Sequence, residues 1–426
     1  MTSHAVSSPR PVPTLFTVPV HPSVPADAQR DSFFVGQDGG IYMPGNINTA
    51  PSRSTTSTNR CNLTVSFYQI LPDSGQLVRI LRDNFLVEAT FDPAYGSGSS
   101  CGTQGGLTAV VDDVAGWLYY AVVAVISGAD VGGASYYSVL LVRRIKLVGA
   151  TVSSSVLRSN LTDSNPLSVF QQGFLPSGIA LSGPADSSTG ASYVLLAPYG
   201  DGYNAYAMMG AAVAVDLSGN GVVRARPSGL GLAPAAWAVD GYNGAYDMYL
   251  LYKDTSLVDP KLCDPLTTST QMNGQLPCFN YYIARDIAGA TAAAISKWPT
   301  VIGWSGAMAA APGVDVEVVP FQAFIPTSGV ANPVISVVGS RIYLTDPYRC
   351  QIQRVDGISG NVGVSAGYAV GLGGPGRARP VCSRYPTDGP ALDRPIGAPG
   401  RLVATSAGSL VFHDVTTNLL RRLARA

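Results

Sequence analysis

Short apolar runs alternate with turn-forming clusters along almost the whole chain. Strand-like runs cover residues 106–120 (GLTAVVDDVAGWLYY), 136–147 and 333–355. Gly and Pro recur every few residues, and few stretches keep the 3.6-residue apolar period of a helix. The best candidate for a short helix is the alanine-rich stretch 284–296. The pattern predicts an all-β protein.

The strand-like runs repeat one plan, in which two apolar strands are followed by a third that carries Arg or Lys. Six such units span about residues 31–104, 105–177, 178–233, 234–325, 326–380 and 381–426. Their strands are apolar on both sides, so a single unit cannot bury both of its faces. Radial packing solves this problem, and we predict a six-bladed β-propeller over residues 31–426. Residues 1–30 form a Pro-rich N-terminal extension.

The last unit ends after three strands, which leaves one edge of its sheet open. Residues 14–20 (TLFTVPV) are the obvious donor of a fourth strand. The donated strand either closes the last blade of its own chain or enters a neighbouring molecule. The second arrangement produces a head-to-tail polymer.

The last unit also carries a family signature. It contains Asp388-Gly389, Pro395, a strand at 401–405, a hairpin at 407–410, then Asp414, Asn418 and Arg421-Arg422. This order resembles the NHL repeat. Residues 341–346 and 352–355 of the preceding unit match the pattern more loosely. The resemblance covers about residues 333–423 and implies a propeller fold without implying an activity.

Composition excludes several classes of protein. Lys+Arg and Asp+Glu are 27 each, so no cationic excess favours binding to nucleic acid. Charged residues are 13% of the chain, about half the usual share, so glycans or an assembly must complete the surface. The longest apolar run, 117–126, is shorter than the roughly 18 residues of a membrane span. Residues 1–26 lack the apolar core of a signal peptide.

The cysteines favour an oxidising compartment, the alternative being six reduced cysteines in a cytosolic protein. Six of them lie in loop-like, Gly/Pro-rich contexts, and sequential pairing joins Cys61 to Cys101, Cys263 to Cys278 and Cys350 to Cys382. Other connectivities remain open. None forms a C-x-x-C motif, and His4, His21 and His413 are the only histidines, so we expect no metal site. The sequons at Asn62 and Asn160 predict N-glycosylation.

Two groups of residues are candidates for binding or chemistry. Tyrosines beside acid and amide side chains suit sugar or protein recognition, and they cluster at Asp240, Tyr242, Asn243, Tyr246 and Asp247. The alternative is that Tyr simply favours strands. A second hypothesis pairs Asp240 and Asp346 as axial acid and base. NHL-type lyases require several metal-binding histidines, and here only His413 lies in a blade.

These observations predict a non-enzymatic, extracellular glycoprotein. We expect it to be a structural or interaction module of a cell-surface assembly, with a filament as one form of that assembly, and to contact itself or other extracellular proteins. We expect no catalytic residue, no cofactor and no nucleic-acid partner. The first alternative is a propeller that binds a glycan or protein ligand. The second is a propeller hydrolase or lyase that uses the axial aspartates.

Overall fold

The computed structural model describes the strands and many of their connections. The described residues are 13–20, 30–36, 39–53, 58–90, 99–112, 116–130, 133–147, 154–158, 176–182, 193–198, 212–216, 223–226, 234–240, 247–253, 278–286, 316–326, 331–338, 341–356, 362–368, 371–372, 380–405 and 408–424.

Most of the described residues lie in β-strands. The strands up to residue 226 are β1 (Thr14–Thr17), β2 (Phe34–Val35), β3 (Ile41–Pro44), β4 (Asn48–Arg53), β5 (Thr58–Ile70), β6 (Leu77–Thr90), β7 (Ser99–Asp112), β8 (Trp117–Asp130), β9 (Gly133–Lys146), β10 (Ser154–Arg158), β11 (Pro176–Ser182), β12 (Tyr193–Pro198), β13 (Ala212–Asp216) and β14 (Val223–Arg226).

The remaining strands are β15 (Pro234–Asp240), β16 (Asp247–Lys253), β17 (Cys278–Asp286), β18 (Val316–Pro326), β19 (Ile335–Val338), β20 (Arg341–Asp346), β21 (Gln351–Asp356), β22 (Val362–Ala366), β23 (Gly371–Leu372), β24 (Pro380–Val381), β25 (Gly389–Pro390), β26 (Pro399–Ala404), β27 (Leu410–Asp414) and β28 (Leu419–Ala424). Short 3-10 turns lie at Arg30–Ser32 and Ala391–Asp393. Within these residues no helix is long and apolar enough to cross a bilayer.

Besides the separate pair of β23 and β24, the described strands form six antiparallel sheets, here blades 1 to 6, which follow one another along the chain. In order they begin with β2, β7, β11, β15, β19 and β26. These first strands contact one another in a cycle: β2 with β7, β7 with β11, β11 with β15, β15 with β19, β19 with β26, and β26 with β2. Sheets joined in a ring through their first strands form a β-propeller. The predicted all-β propeller class is confirmed.

Alternate residues of the middle strands enter different cores. In β27, Leu410 and Phe412 pack in the cluster between blades 5 and 6, whereas Val411 packs between blades 6 and 1. In β20, Tyr343 faces blade 6 and Leu344 faces blade 4. Side chains alternate between the two faces of a strand. A strand in a blade with a neighbour on each side must therefore carry apolar residues at both odd and even positions. This explains why the apolar runs of the sequence do not alternate between hydrophobic and polar residues.

The N-terminal strand closes the ring within the chain. β1 pairs antiparallel with β28, which places Leu15 opposite Leu423 and Thr17 opposite Arg421. Leu15 is buried in the core between blades 5 and 6, while the side chain of Phe16 is 46% exposed. β25 pairs with the other edge of β1. The predicted domain boundary at residue 30 stays a prediction.

Two sequence-based expectations are wrong in detail. Residues 284–286 of the candidate helix belong to strand β17, where Ala284 pairs with Leu250 and Val318. The middle strand of a blade needs partners on both edges, and this requirement overrides the helical preference of alanine. Residues 287–296 lie outside the described residues. The second blade begins with β7 at Ser99, six residues before the predicted boundary at 105.

Candidate functional site

Blades 5 and 6 carry the same turn after their second strand. Asp346 ends β20, and its Oδ1 accepts a hydrogen bond from the backbone N–H of Arg349 at 2.9 Å. Asp414 ends β27, and its Oδ1 accepts from the backbone N–H of Thr417 at 3.2 Å. Both aspartates are fully buried. In each turn, therefore, the carboxylate of an aspartate accepts a hydrogen bond from the backbone N–H three residues later.

The fifth residue of each turn adopts a left-handed backbone. Cys350 has φ 57° and Asn418 has φ 53°, and they are the only non-glycine residues with positive φ in the described part of the chain. Asn tolerates this region, whereas Cys rarely enters it. In the structure Cys350 forms a disulfide with Cys382. The cross-link thus ties the turn of blade 5 to the connection that enters blade 6.

This disulfide brings together two segments that we name the disulfide corner, residues 346–350 and 382–388. Arg349 donates from Nη1 to Asp346 Oδ2 at 2.7 Å, and its side chain is 33% exposed. Gln353 Nε2 lies 3.4 Å from the same Oδ2. The Arg349 side chain is therefore tethered to Asp346 and is partly exposed to solvent.

Tyr385 is the most exposed aromatic side chain of the described residues, at 85%. Its backbone is fixed on both sides, because its N–H donates to Ser383 Oγ and the Ser383 hydroxyl donates to its carbonyl, both at 3.1 Å. An exposed ring on a fixed backbone is a surface suited to stacking. Nothing in the apolar pattern predicts Tyr385, although the Asp346-x-x-Arg349-Cys350 spacing does signal the turn beside it.

Tyr281 of blade 4 approaches the same carboxylate from the core. Burial, and then the negative charge of Asp346, raise the pKa of the Tyr281 hydroxyl. In blade 6 burial also raises the pKa of Asp414, against hydrogen bonds from Gly397 and Thr417 that lower it. The carboxylate of Asp414 occupies the place where a Cβ at residue 397 would stand, so this position requires glycine.

Another buried carboxylate, that of Asp83, lies between blades 1 and 2. Arg143 binds Asp83 through two contacts, Nε–Oδ2 at 2.8 Å and Nη2–Oδ1 at 3.2 Å, and the Tyr120 hydroxyl donates to Oδ2 at 2.6 Å. All three residues are buried. Burial and the adjacent Asp83 raise the pKa of Tyr120. A closed, fully paired cluster of this kind joins blades and offers no surface to a ligand.

The structure separates the two predicted axial aspartates. Asp240 ends β15 and pairs with Asp247, the first residue of β16, at the hairpin between the first and second strands of blade 4. Asp346 ends the second strand of blade 5, at the opposite end of its sheet. A strand of six or seven residues separates these ends by roughly 20 Å. The pairing of Asp240 and Asp346 as acid and base is therefore wrong.

Other predicted site residues have mixed outcomes. Tyr242, Asn243 and Tyr246 lie outside the described residues, so ligand binding there stays a prediction. His413 is buried, and its Nε2 lies 2.9 Å from Asn418 Oδ1, which gives it a structural role in the turn.

Two of the three predicted disulfides are present, Cys61–Cys101 and Cys350–Cys382. Cys263 lies outside the described residues and Cys278 begins β17, so that third pairing is untested. Disulfides are typical of proteins in oxidising compartments. Asn62 is exposed on β5, whereas Asn160 lies outside the described residues.

The described residues do not group ligands for a metal ion. No cluster of three or more His, Cys, Asp or Glu side chains occurs among them. The described innermost strands contain one cationic residue, Arg401, whose guanidinium lies 6.0 Å from the centre of the Phe33 ring. Burial lowers the pKa of Arg401 to about 10.

Comparison with solved structures returns propellers at low identity. The PQQ-bound aldose sugar dehydrogenase from Streptomyces coelicolor has a TM-score of 0.42 and 10% identity, over 98% of this chain and 99% of that chain. The calcium structure of the carbohydrate-active enzyme family AA12 protein from Trichoderma reesei has a TM-score of 0.40 and 13% identity, over 98% of each chain.

A third similar structure is a putative oxidoreductase (glucose dehydrogenase) from Thermus thermophilus. Its TM-score is 0.40 and its identity 12%, over 96% of this chain and 99% of that chain. No family model matches the chain, and no curated protein matches it. The likeness is therefore one of fold alone.

The comparison corrects two predictions. Proteins returned for this fold include sugar dehydrogenases and a carbohydrate-active enzyme. The predictions of a non-enzymatic structural module and of a chain that is not an enzyme are contradicted by this finding and are wrong. The physical reason for the error is that low surface charge and a spare strand describe the fold and its closure, and they carry no information about chemistry at a face of the ring.

Proposed function

We propose that this protein binds a carbohydrate at the disulfide corner. The observation that carries the proposal is the 85% exposure of Tyr385 on a backbone fixed by Ser383. A sugar ring stacks on an exposed aromatic face, and its hydroxyls accept hydrogen bonds from a guanidinium. The similarity to sugar dehydrogenases is confined to the fold, so the proposal rests on residues of this chain.

Pre-organisation favours this corner over other parts of the described surface. Arg349 is oriented by Asp346, and the disulfide Cys350–Cys382 holds the two segments together. Groups that are already ordered lose little entropy when they bind a ligand. Binding is the first step of both recognition and conversion of a sugar, so the proposal covers a carbohydrate-active enzyme as well.

The experiment is saturation-transfer NMR with a panel of monosaccharides and oligosaccharides, repeated over time to detect consumption of the sugar. We expect binding by the native chain and at least a tenfold weaker affinity in Tyr385→Ala. Tyr368→Ala is the matched control, because Tyr368 is an exposed tyrosine outside the corner. The absence of any bound saccharide, or equal binding by Tyr385→Ala, would overturn the proposal.

We also infer that blades 5 and 6 are NHL-type repeats. The shared roles of Asp346 and Asp414, and the left-handed residue four positions later in each, support this inference. An extracellular location is supported by the two disulfides and by the low charge of the chain. Glycosylation at Asn62 and self-association remain proposals in that setting.

A further inference from the structure

The ring is closed by a contact between the two ends of the chain. Thr17 donates to Asp388 Oδ1 from its backbone N–H and from its hydroxyl, both at 2.8 Å. Arg421 Nη2 lies 3.5 Å from the same oxygen and donates to the Thr387 carbonyl at 2.6 Å. We name these residues, Thr17, Asp388 and Arg421, the closing contact.

The connection between blades 5 and 6 forms one side of this closure. Leu15 pairs with Gly389, and the Ala391 N–H donates to the Pro13 carbonyl at 2.9 Å. β1 is therefore held between β28 on one edge and residues 388–391 on the other. Movement of that connection removes half of the partners of β1.

One disulfide cross-links the connection to the turn of blade 5. The backbone hydrogen bonds from the Gly367 N–H to the Ala391 carbonyl at 3.0 Å and from the Ser383 N–H to the Ile396 carbonyl at 3.1 Å lie within the connection itself. The cross-link is Cys350–Cys382, whose cysteines are 32 residues apart in sequence. Loss of this link restores conformational freedom to the segment that carries Asp388.

The two cysteines of this disulfide differ in burial. Cys350 is fully buried, whereas Cys382 is partly exposed. Reduction from the more exposed side begins when a thiolate of a small dithiol attacks Cys382 Sγ; the S–S bond breaks, and Cys350 leaves as a thiolate that takes a proton. The second thiol of the reductant then displaces Cys382, so the protein gains two thiols and the dithiol becomes a disulfide.

We propose that Cys350–Cys382 is a redox-sensitive control of ring closure, in which reduction by a dithiol releases β1 from its place beside β28. The second disulfide provides the contrast, because Cys61 and Cys101 lie in the strands of blades 1 and 2 and do not contact β1. Reduction there leaves the closing contact intact.

The test is hydrogen exchange of the full chain, followed at residues 14–17 and 419–423. In Cys350→Ser/Cys382→Ser we expect at least tenfold faster exchange at these amides and no change at residues 118–124 of blade 2. In the matched control, Cys61→Ser/Cys101→Ser, the amides of residues 14–17 keep their protection. Unchanged protection of 14–17 in the first variant, or equal loss in both variants, overturns the proposal.

A second measurement applies if the first variant does not fold. The native chain is reduced stepwise with dithiothreitol, and alkylation of Cys382 is followed beside exchange at residues 14–17. We expect the two to advance together, and exchange that stays slow after Cys382 is alkylated contradicts the proposal. Asp388→Ala, which keeps the disulfide, should show faster exchange before reduction and a smaller further increase after it. If reduction increases exchange at residues 14–17 by the same factor in Asp388→Ala and in the native chain, the disulfide does not act through the closing contact.

Discussion

Oδ1 of Asp388 accepts two hydrogen bonds from Thr17, although the two residues are 371 positions apart in the chain. The same oxygen lies 3.5 Å from Nη2 of Arg421, whose side chain is fully buried. One carboxylate thus joins the first strand, the last strand and the connection between the last two blades. A propeller that closes with its N-terminal strand depends on contacts of this kind, because the ends of the chain have no covalent link.

Asp388→Ala is expected to lower the free energy of unfolding by about 1–3 kcal/mol, since hydrogen bonds to a charged acceptor are lost. Thr17→Val removes the hydroxyl donor and keeps the backbone N–H, so its cost is about 1 kcal/mol. Urea unfolding measures both changes. Asp393→Ala is the control, because Asp393 is exposed on the 3-10 turn nearby. Equal stability of Asp388→Ala and Asp393→Ala would contradict the role of Asp388 in closure.

Arg143→Met is expected to destabilise the protein by about 3–5 kcal/mol, because it leaves the buried Asp83 carboxylate without its cation. Asp83→Asn removes that charge, so the double variant Asp83→Asn/Arg143→Met should lose much less than the sum of the two single losses. Chemical denaturation of the four proteins gives the coupling. Strictly additive losses would show that the ion pair does not hold blades 1 and 2 together.

Asp414 makes stability depend on pH in a defined direction. Burial raises its pKa in the folded protein, so the folded state binds a proton more tightly than the unfolded state does. The contribution of this carboxyl to stability is therefore greatest below its ordinary pKa of about 4 and declines as the pH rises through the folded value. We expect Asp414→Asn to flatten this part of the profile of unfolding free energy against pH, measured from pH 4 to 7. An unchanged slope would show that another group causes the dependence.

Asn62 is expected to carry an N-glycan when the chain is expressed in a glycosylating host. Asn62 is exposed on β5, and Thr64 of its sequon donates from Oγ1 to Asn84 Oδ1 at 2.7 Å in the folded sheet. Thr64→Val should abolish the mass added at this site, whereas Thr64→Ser keeps the sequon and the glycan. Mass spectrometry of the intact protein, before and after enzymatic removal of glycans, makes the measurement. A native chain without added mass at Asn62 would refute the prediction.

Much of the architecture follows from local patterns. Strands that carry apolar residues at both odd and even positions require a neighbouring sheet on each side, and a ring of blades provides one. The closing strand is predicted by the same reasoning, because a three-stranded last unit leaves an edge that the segment TLFTVPV fits. The disulfides Cys61–Cys101 and Cys350–Cys382 follow from a preference for short loops.

The candidate site was less predictable. The tyrosine-rich segments drew attention to Tyr242 and Tyr246, whereas the described geometry points to Tyr385, which follows no apolar period and has no tyrosine beside it. Its segment is cross-linked to the turn that carries Arg349 by the disulfide Cys350–Cys382. The prediction that Asp240 and Asp346 form an axial pair is wrong because residues in neighbouring blades converge only when they lie at the same end of their strands.

By itself, the sequence determined that this protein is built from short sheets packed on both faces, with a spare strand at its beginning. The tertiary structure decided which polar groups meet: Asp388 with Thr17, and Asp83 with Arg143. The physical reason is the distance along the chain over which each feature is decided. Strand formation depends on side chains two residues apart, whereas these pairings depend on how the sheets are arranged around the ring, which no local pattern encodes.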